Sequence, residues 1–289
     1  MGGVLFNEID YNRYKTDFGR RAADYARFRQ GFPPELFRRL AGLGVGRPGQ
    51  RVVDLGTGTG TLARGFAGEG CEVVGLDVSG DMLAAARALA PELTFVAAPA
   101  ERTGLETGAW DVVSAGQCWH WFDRPAALAE AERLLRPGGA VVIAHLDWLH
   151  RAGGPLERTL ELVRARNPDW PRPVDYPSDG VYSCWLPELE AAGFGAVELL
   201  AFDVDLLYTH EGWRGRMRAS ALSGATLSPE RTEAFDRSLA ALLAAEFPEE
   251  PMVIPHRVCA VIGFKGRAGA GGLGAGAIRA AVPCWEGEE

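Results

Sequence analysis

The stretch Arg51-Val-Val-Asp-Leu-Gly-Thr-Gly-Thr-Gly-Thr-Leu-Ala63 decides the fold of this chain. It begins as a short apolar run typical of a buried strand, passes through three closely spaced glycines and continues as a helical pattern. Glycine permits a positive φ and lets backbone approach a ligand closely. Dinucleotide sites use G-x-G-x-x-G, whereas here Thr61 stands where the last glycine would fall. The loop therefore favours a smaller nucleoside ligand over a pyrophosphate.

Strand and helix patterns alternate on either side of this loop. We predict strands near 51–55, 72–77, 93–97, 111–115 and 139–144, helices near 60–69, 80–90 and 125–135, and an earlier helix from Pro33 to Leu43. Strands that alternate with helices indicate an α/β fold with a parallel, doubly wound sheet.

Five segments in order resemble the motifs of the class I S-adenosylmethionine-dependent methyltransferases. They are the glycine loop, Cys71–Asp77, Phe95–Glu101, Trp110–Gln117 and Leu134–Ile143. The resemblance implies a Rossmann-like, seven-stranded sheet of order 3-2-1-4-5-7-6 with an antiparallel last strand. Residues 196–205 and 257–264 would form the final two strands. It also implies S-adenosyl-L-methionine as cofactor and S-adenosyl-L-homocysteine as product.

The same resemblance implies roles for single residues. Asp77 would accept both ribose hydroxyls, and Ala100 and Glu101 would lie beside the adenine amino group. The full set of implied cofactor-binding residues is Asp54, Gly56, Thr57, Gly58, Gly60, Asp77, Val78, Met82, Ala100, Glu101, Gly116, Gln117 and Arg29.

The segment Gln117-Cys-Trp-His-Trp-Phe-Asp123 is unusually aromatic and follows the fourth predicted strand. It resembles a stretch of the trans-aconitate methyltransferase-like branch of the family, whose cofactor-covering N-terminal segment Ala23–Arg29 resembles as well. Ligands in open α/β sheets lie at the carboxyl ends of the strands, so this segment should face the methyl acceptor.

His120 is the candidate catalytic residue, as a general base with a pKa near neutrality. The competing interpretation is that His120 only braces the loop. Candidate substrate-binding residues are Trp119, Trp121, Trp148, Arg214 and His256. The tryptophans could equally pack a lid, and Arg214 could belong to a solvated helix face.

The chain is predicted to form one elaborated domain over residues 1–265, with its core at about 33–147. Two helical insertions, about 148–184 and 209–247, would form a lid over the strand ends. Residues 266–289 are rich in Gly and Ala and lack apolar periodicity, which predicts a disordered tail.

Charge and composition limit the partners. The formal net charge of −8 disfavours nucleic acids and anionic membranes, and no apolar run is long enough to span a bilayer. Five scattered cysteines without C-x-x-C spacing predict reduced thiols, no metal site, no signal peptide and a cytoplasmic location. The sequence makes no prediction of the oligomeric state.

The function predicted first is methyl transfer to a small molecule, at a carboxylic acid or a hydroxyl group. A non-catalytic S-adenosylmethionine-binding protein and a nicotinamide-dependent oxidoreductase are the alternatives. The glycine spacing opposes the oxidoreductase, and the aromatic segment with two lid insertions favours an enclosed acceptor over a simple binder.

Overall fold

The computed structural model describes residues 27–166, 179–220 and 227–266. The described strands are β1 (Arg51–Leu55), β2 (Glu72–Asp77), β3 (Thr94–Ala97), β4 (Trp110–Gly116), β5 (Leu135–Trp148), β6 (Phe194–Tyr208) and β7 (Met252–Lys265). The described helices are α1 (Pro34–Gly42), α2 (Thr61–Gly68), α3 (Gly80–Leu89), α4 (Arg124–Leu134), α5 (Pro155–Arg166), α6 (Trp185–Ala191), α7 (His210–Arg218) and α8 (Pro229–Glu246).

All seven strands belong to one sheet of order β3-β2-β1-β4-β5-β7-β6. The pairs from β3 to β5 are parallel, whereas β7 runs antiparallel to both β5 and β6. The predicted strand order and the antiparallel last strand are therefore confirmed.

Both faces of the central strands are buried, which explains why they read as continuous apolar runs rather than as alternating patterns. One face packs against α1, α2 and α3 through side chains such as Leu36, Phe66 and Leu83. The other face packs against α4 and α6 through side chains such as Leu128 and Trp185. This double burial fixes where the strands end, and hence where the site lies.

The last two strands are longer than the sequence predicts. Their antiparallel register extends as far as the pair Tyr208 and Met252, well beyond the predicted 196–205 and 257–264. Pro255 lies within β7 and lacks a backbone N–H, a feature that argues against a strand when only the sequence is read. β5 also begins earlier than predicted, at Leu135 instead of residue 139.

Helices α5, α7 and α8 lie within the two predicted insertions and share a separate apolar cluster. Its buried members include Leu156, Trp213, Phe235 and Leu239. We call these three helices the lid. The rest of the insertions at 167–178 and 221–226, the first 26 residues and the predicted tail from 267 onward lie outside the described residues. Within the described ranges, no helix combines the length and the apolar character needed to cross a membrane.

Candidate functional site

The glycine loop between β1 and α2 leaves open space at a single glycine. Gly56, Gly58 and Gly60 all have positive φ, at 59°, 56° and 79°. A Cβ at Gly56 would come 2.8 Å from the Cys118 sulfur, and one at Gly60 would come 3.2 Å from the Phe95 ring. A Cβ at Gly58 would meet nothing within 4 Å. The structure thus differs from the expectation for three equivalent glycines: two make room for protein side chains, and Gly58 leaves backbone open to a ligand.

Two carboxylates hold this loop, one from below and one from the side. Asp54 is buried and accepts hydrogen bonds from Thr57 Oγ1 at 2.6 Å and Ser114 Oγ at 2.8 Å. Burial raises the pKa of Asp54 to about 6. Asp77, at the end of β2, accepts the backbone N–H of Gly58 at 2.9 Å. Asp54 therefore braces the loop inside the protein, and Asp77 lies beside the open backbone.

The adenine-side residues surround the next turn. Val78 is 75% exposed, whereas Met82 and Ala100 are buried beneath it in the sequence-neighbouring elements. Glu101 accepts the backbone N–H of Asp123 at 3.0 Å through Oε1. This bond ties the turn after β3 to the aromatic segment 117–123, so the two predicted parts of the site are physically joined.

Gln117 follows β4 in a conformation that few side chains adopt, with φ at 64°. Its backbone N–H donates to the Ala144 carbonyl at 2.9 Å, and its Nε2 donates to the Leu146 carbonyl at 2.6 Å. The preceding Gly116 is required for packing, because a Cβ there would lie 2.6 Å from Leu62. Backbone strain of this kind is concentrated at functional sites, and here it aims the aromatic segment across the end of β5.

A cleft opens at the carboxyl ends of β4 and β5, beside the glycine loop. It is lined by Arg29, Gln30, Phe32, Thr61, Gln117, Leu146, Tyr208, Arg216 and His256. These residues come from the N-terminal segment, the start of α2, the ends of β5 and β6, the start of β7 and the lid helix α7. The structure therefore brings together three predicted site residues, Arg29, Gln117 and His256.

Other predicted acceptor residues do not line the cleft. Trp119 is fully buried in the core beneath α4, with its ring edge-on to Phe122 at 5.8 Å. Trp121 is 41% exposed. Arg214 points away from the cleft and binds Asp236 and Glu211. Trp148 contributes indirectly, because its ring lies under the Arg216 guanidinium at 4.8 Å.

Sequence reasoning missed Arg216 and Tyr208 as residues of the cleft. The available signal was helical spacing: Trp213 and Met217 are the buried positions of α7, and Arg214 and Arg218 lie together on another face. Tyr208 falls beyond the predicted end of β6, so its place at the cleft follows from the longer β6–β7 pairing.

The comparisons with known proteins agree with this geometry. Residues 53–143 match the family model of a methyltransferase domain. The chain contains a methyltransferase domain. An uncharacterized methyltransferase of Mycobacterium tuberculosis (strain ATCC 25618 / H37Rv) is 34% identical over 155 residues, which are 52% of this chain and 62% of that protein. A demethylmenaquinone methyltransferase of Beutenbergia cavernae is 40% identical over 115 residues, covering 39% and 48% of the two chains.

The match thus covers less than two thirds of each of these relatives. Among solved structures, a candidate type II methyltransferase from Anaeromyxobacter dehalogenans superposes with a TM-score of 0.59 at 23% identity. That superposition covers 82% of this chain and 97% of the other. It shows that the methyltransferase domain and the strands beyond it have the class I methyltransferase fold. The likeness to the trans-aconitate branch stays a prediction.

Two histidines near the cleft of the methyltransferase domain are held neutral. Burial lowers the pKa of His256 to about 4, and the nearby Arg216 and Arg29 act in the same direction. His256 Nδ1 lies 2.8 Å from the Ile254 carbonyl, so the neutral ring carries its proton there and has a lone pair on Nε2. Burial also lowers the pKa of His120 well below its ordinary value, with His145 contributing. The expectation that His120 titrates near neutrality is therefore wrong.

Metal chemistry has no visible support in this domain. Among the described residues, no group of three or more His, Cys, Asp or Glu side chains is arranged to hold a metal ion. The chemistry that the described site can offer is positioning, hydrogen bonding and charge.

Proposed function

We propose that this chain is an S-adenosylmethionine-dependent methyltransferase that acts on a small-molecule acceptor. The observation that carries the proposal is the junction of Gly58 and Asp77. There, open loop backbone lies next to a carboxylate that Gly58 and Ser79 hold in place through their N–H groups at 2.9 and 2.8 Å. A fixed carboxylate is an acceptor-only group, which suits the two hydroxyl donors of a ribose.

The remaining residues fit the rest of the cofactor in the order in which they surround the loop. Val78, Met82, Ala100 and Glu101 would line the adenine, and Gln117 and Arg29 would lie at the methionine end. Asp54, Gly56, Thr57, Gly60 and Gly116 would support this surface from within, as their burial and packing indicate.

When bound, S-adenosylmethionine supplies an electrophilic methyl group, whose transfer breaks the S–CH₃ bond, forms a bond to the acceptor and leaves S-adenosylhomocysteine. The chain's own residues would hold the acceptor in line and exclude water, which together can provide much of the rate enhancement. The cleft between Gln117 and the lid helix α7 is the place for the acceptor.

A carboxylate acceptor needs no base, whereas a hydroxyl acceptor must lose a proton. His256 is better placed than His120 to receive it, because His256 lines the cleft and keeps a lone pair on Nε2. His120 lies in the turn Trp119–Trp121, with its ring 5.8 Å from His145. We therefore assign His120 to bracing the aromatic segment and His256 to the acceptor side.

Titration calorimetry tests the cofactor assignment. The chain should bind S-adenosylmethionine and S-adenosylhomocysteine but not NAD. Asp77→Asn should weaken both ligands by roughly 10- to 100-fold, as expected for charge-assisted hydrogen bonds lost from a partly buried site.

Glu92→Gln is the matched control, because Glu92 is an exposed carboxylate just before β3, at the opposite edge of the sheet. Its affinity should stay within about two-fold of the parent, as for surface changes away from a site. Binding of NAD without S-adenosylmethionine would support the oxidoreductase alternative and remove the proposal. Equal affinities in Asp77→Asn and Glu92→Gln would remove Asp77 from the site.

A further inference from the structure

Helix α7 carries three arginines that face two directions. Arg214 and Arg218 both bind Asp236 of α8, and Arg218 also binds Glu211 at 2.8 Å. Their charges are neutralised inside the lid. Arg216 lies on another side of the helix and reaches the cleft. One helix thus separates arginines that hold the lid together from one that faces the place where the acceptor would bind.

An aromatic shelf fixes the Arg216 guanidinium. Its Cζ lies 4.8 Å from the centre of the Trp148 ring, and the Tyr208 hydroxyl is within hydrogen-bonding reach. Trp213 packs edge-on against Trp148 at 5.6 Å and against Tyr208 at 5.3 Å, and its Nε1 donates to Thr159 Oγ1 at 2.9 Å. A guanidinium that is already oriented loses less entropy when it binds a planar anion.

The charges of the cleft favour an anion as well. Its described lining contains two guanidinium groups, Arg29 and Arg216, and no carboxylate side chain. In the proposed function, Arg29 takes the carboxylate of the methionine part of the cofactor. That assignment leaves Arg216 with no anionic group of the cofactor to bind. The cofactor's sulfonium would add a further positive charge, so a cationic amine acceptor would be repelled.

We infer that the methyl acceptor carries a carboxylate group, which binds Arg216 and the Tyr208 hydroxyl. This inference rests on the proposed function and adds the chemical class of its substrate. Arg216 would donate two parallel N–H bonds to the carboxylate, an arrangement that a planar fork permits and an ammonium does not. His256, stacked on Tyr208 with ring centres 6.1 Å apart, would close the other side of the pocket as a neutral group.

A panel of paired compounds tests the inference. It contains hydroxy acids and dicarboxylic acids, each with the primary amide that replaces one carboxylate, together with primary amines and phosphate monoesters. Each amide keeps a nucleophile but loses the anionic anchor. Formation of S-adenosylhomocysteine should be at least about 10-fold more efficient with the acids than with their amides, as expected when hydrogen bonds to a charged group are lost.

Variants locate the anchor. Arg216→Gln should raise KM for the acids by about 10-fold or more, change KM for the amides little and leave the affinity for S-adenosylmethionine within about two-fold. Arg216→Lys should fall between, because it keeps the charge without the fork. Arg237→Gln is the matched control, since Arg237 is an exposed arginine of the lid helix α8, 72% accessible at its side chain. Thermal unfolding should be the same for the Arg216 and Arg237 variants.

The outcomes separate the inference from the proposed function. A parent protein that does not bind S-adenosylmethionine overturns both. Normal cofactor binding with a preference for amines, amides or phosphate monoesters overturns the inference alone. An Arg216→Gln variant that folds, binds the cofactor and keeps the parent KM for the acids would also overturn it.

Discussion

His256 is a titratable side chain that folding holds in its neutral form. Burial and two neighbouring guanidinium groups lower its pKa to about 4, against about 6.5 for a histidine in an unfolded chain. Between these values the unfolded chain binds the proton more readily than the folded protein does. The stability associated with neutral His256 is therefore fully present above about pH 6.5 and is lost as the pH falls towards 4.

We predict that His256→Gln removes part of this acid sensitivity. Acidification from about pH 7.5 to 5 should cost the parent about 2 kcal/mol through this group, a loss that glutamine cannot incur. Urea unfolding at the two pH values measures the difference. Asp54 changes stability in the opposite direction, because its pKa is raised to about 6, but it is common to both proteins and cancels in the comparison.

His150→Gln provides the control for this experiment, since His150 is exposed. Its free energy of unfolding should depend on pH as the parent's does. If His256→Gln also follows the parent, the neutral state of His256 in the folded protein is contradicted.

Residues that the backbone requires could be predicted from sequence, whereas residues selected by side-chain direction could not. Gly58 and Asp77 are marked by a glycine spacing and by a carboxylate at a strand end. Nothing so local distinguishes Arg216 from Arg214, because the choice depends on which face of α7 meets the sheet and where Asp236 lies. That information is in tertiary packing.

At the scale of elements, the N-terminal segment and the lid helix α7 are in direct contact over the cleft. A Cβ on Gly215 of α7 would lie 2.2 Å from the Phe28 ring. Gln30 Nε2 donates to the Leu207 carbonyl of β6 at 2.7 Å. Arg29 therefore lies between two neighbours that dock on the lid and its supporting strand, so the position of Arg29 depends on this contact.

We predict that Gly215→Ala displaces the N-terminal segment without weakening the helix. Alanine favours a helix over glycine by about 1 kcal/mol, but its methyl group would occupy the space of the Phe28 ring. Affinity for S-adenosylmethionine should fall roughly 10-fold as Arg29 shifts, and trypsin should cleave after Arg27 and Arg29 faster than in the parent.

Gly42→Ala serves as the comparison, because Gly42 is the last residue of α1 and a Cβ there would meet nothing within 4 Å. It should bind the cofactor and resist trypsin as the parent does. Parent-like affinity and cleavage in Gly215→Ala would show that the contact with Phe28 does not position Arg29.

Elements with strong periodicity were predictable to within a few residues. The first four strands and the helices from α1 to α5 follow the apolar pattern of buried parallel strands and amphipathic helices. The ends of β6 and β7 were not predictable in this way, because β6 alternates at a sheet edge and Pro255 interrupts the β7 pattern. Their length follows from pairing between segments that are distant in sequence.

At the scale of the molecule, β7 serves two apolar clusters at once. Met252 and Ile254 at its start pack in the lid cluster with Leu239 and Trp213. Val258 and later residues of the same strand pack in the core of the sheet. A rigid strand that crosses from one cluster to the other links their stability, so the lid should unfold together with the sheet.

Leu239→Ala tests this coupling, because Leu239 is fully buried at the centre of the lid cluster and makes no part of the cleft lining. Removing a buried leucine side chain costs about 2 to 5 kcal/mol, which for a domain of this size corresponds to a melting temperature lower by roughly 5 to 15 °C. Differential scanning calorimetry should show one transition, shifted as a whole. Leu207→Ala, at a leucine that is 57% exposed, should shift the transition far less. An additional low-temperature transition in Leu239→Ala, with the main one unchanged, would mean that the lid unfolds as a unit of its own.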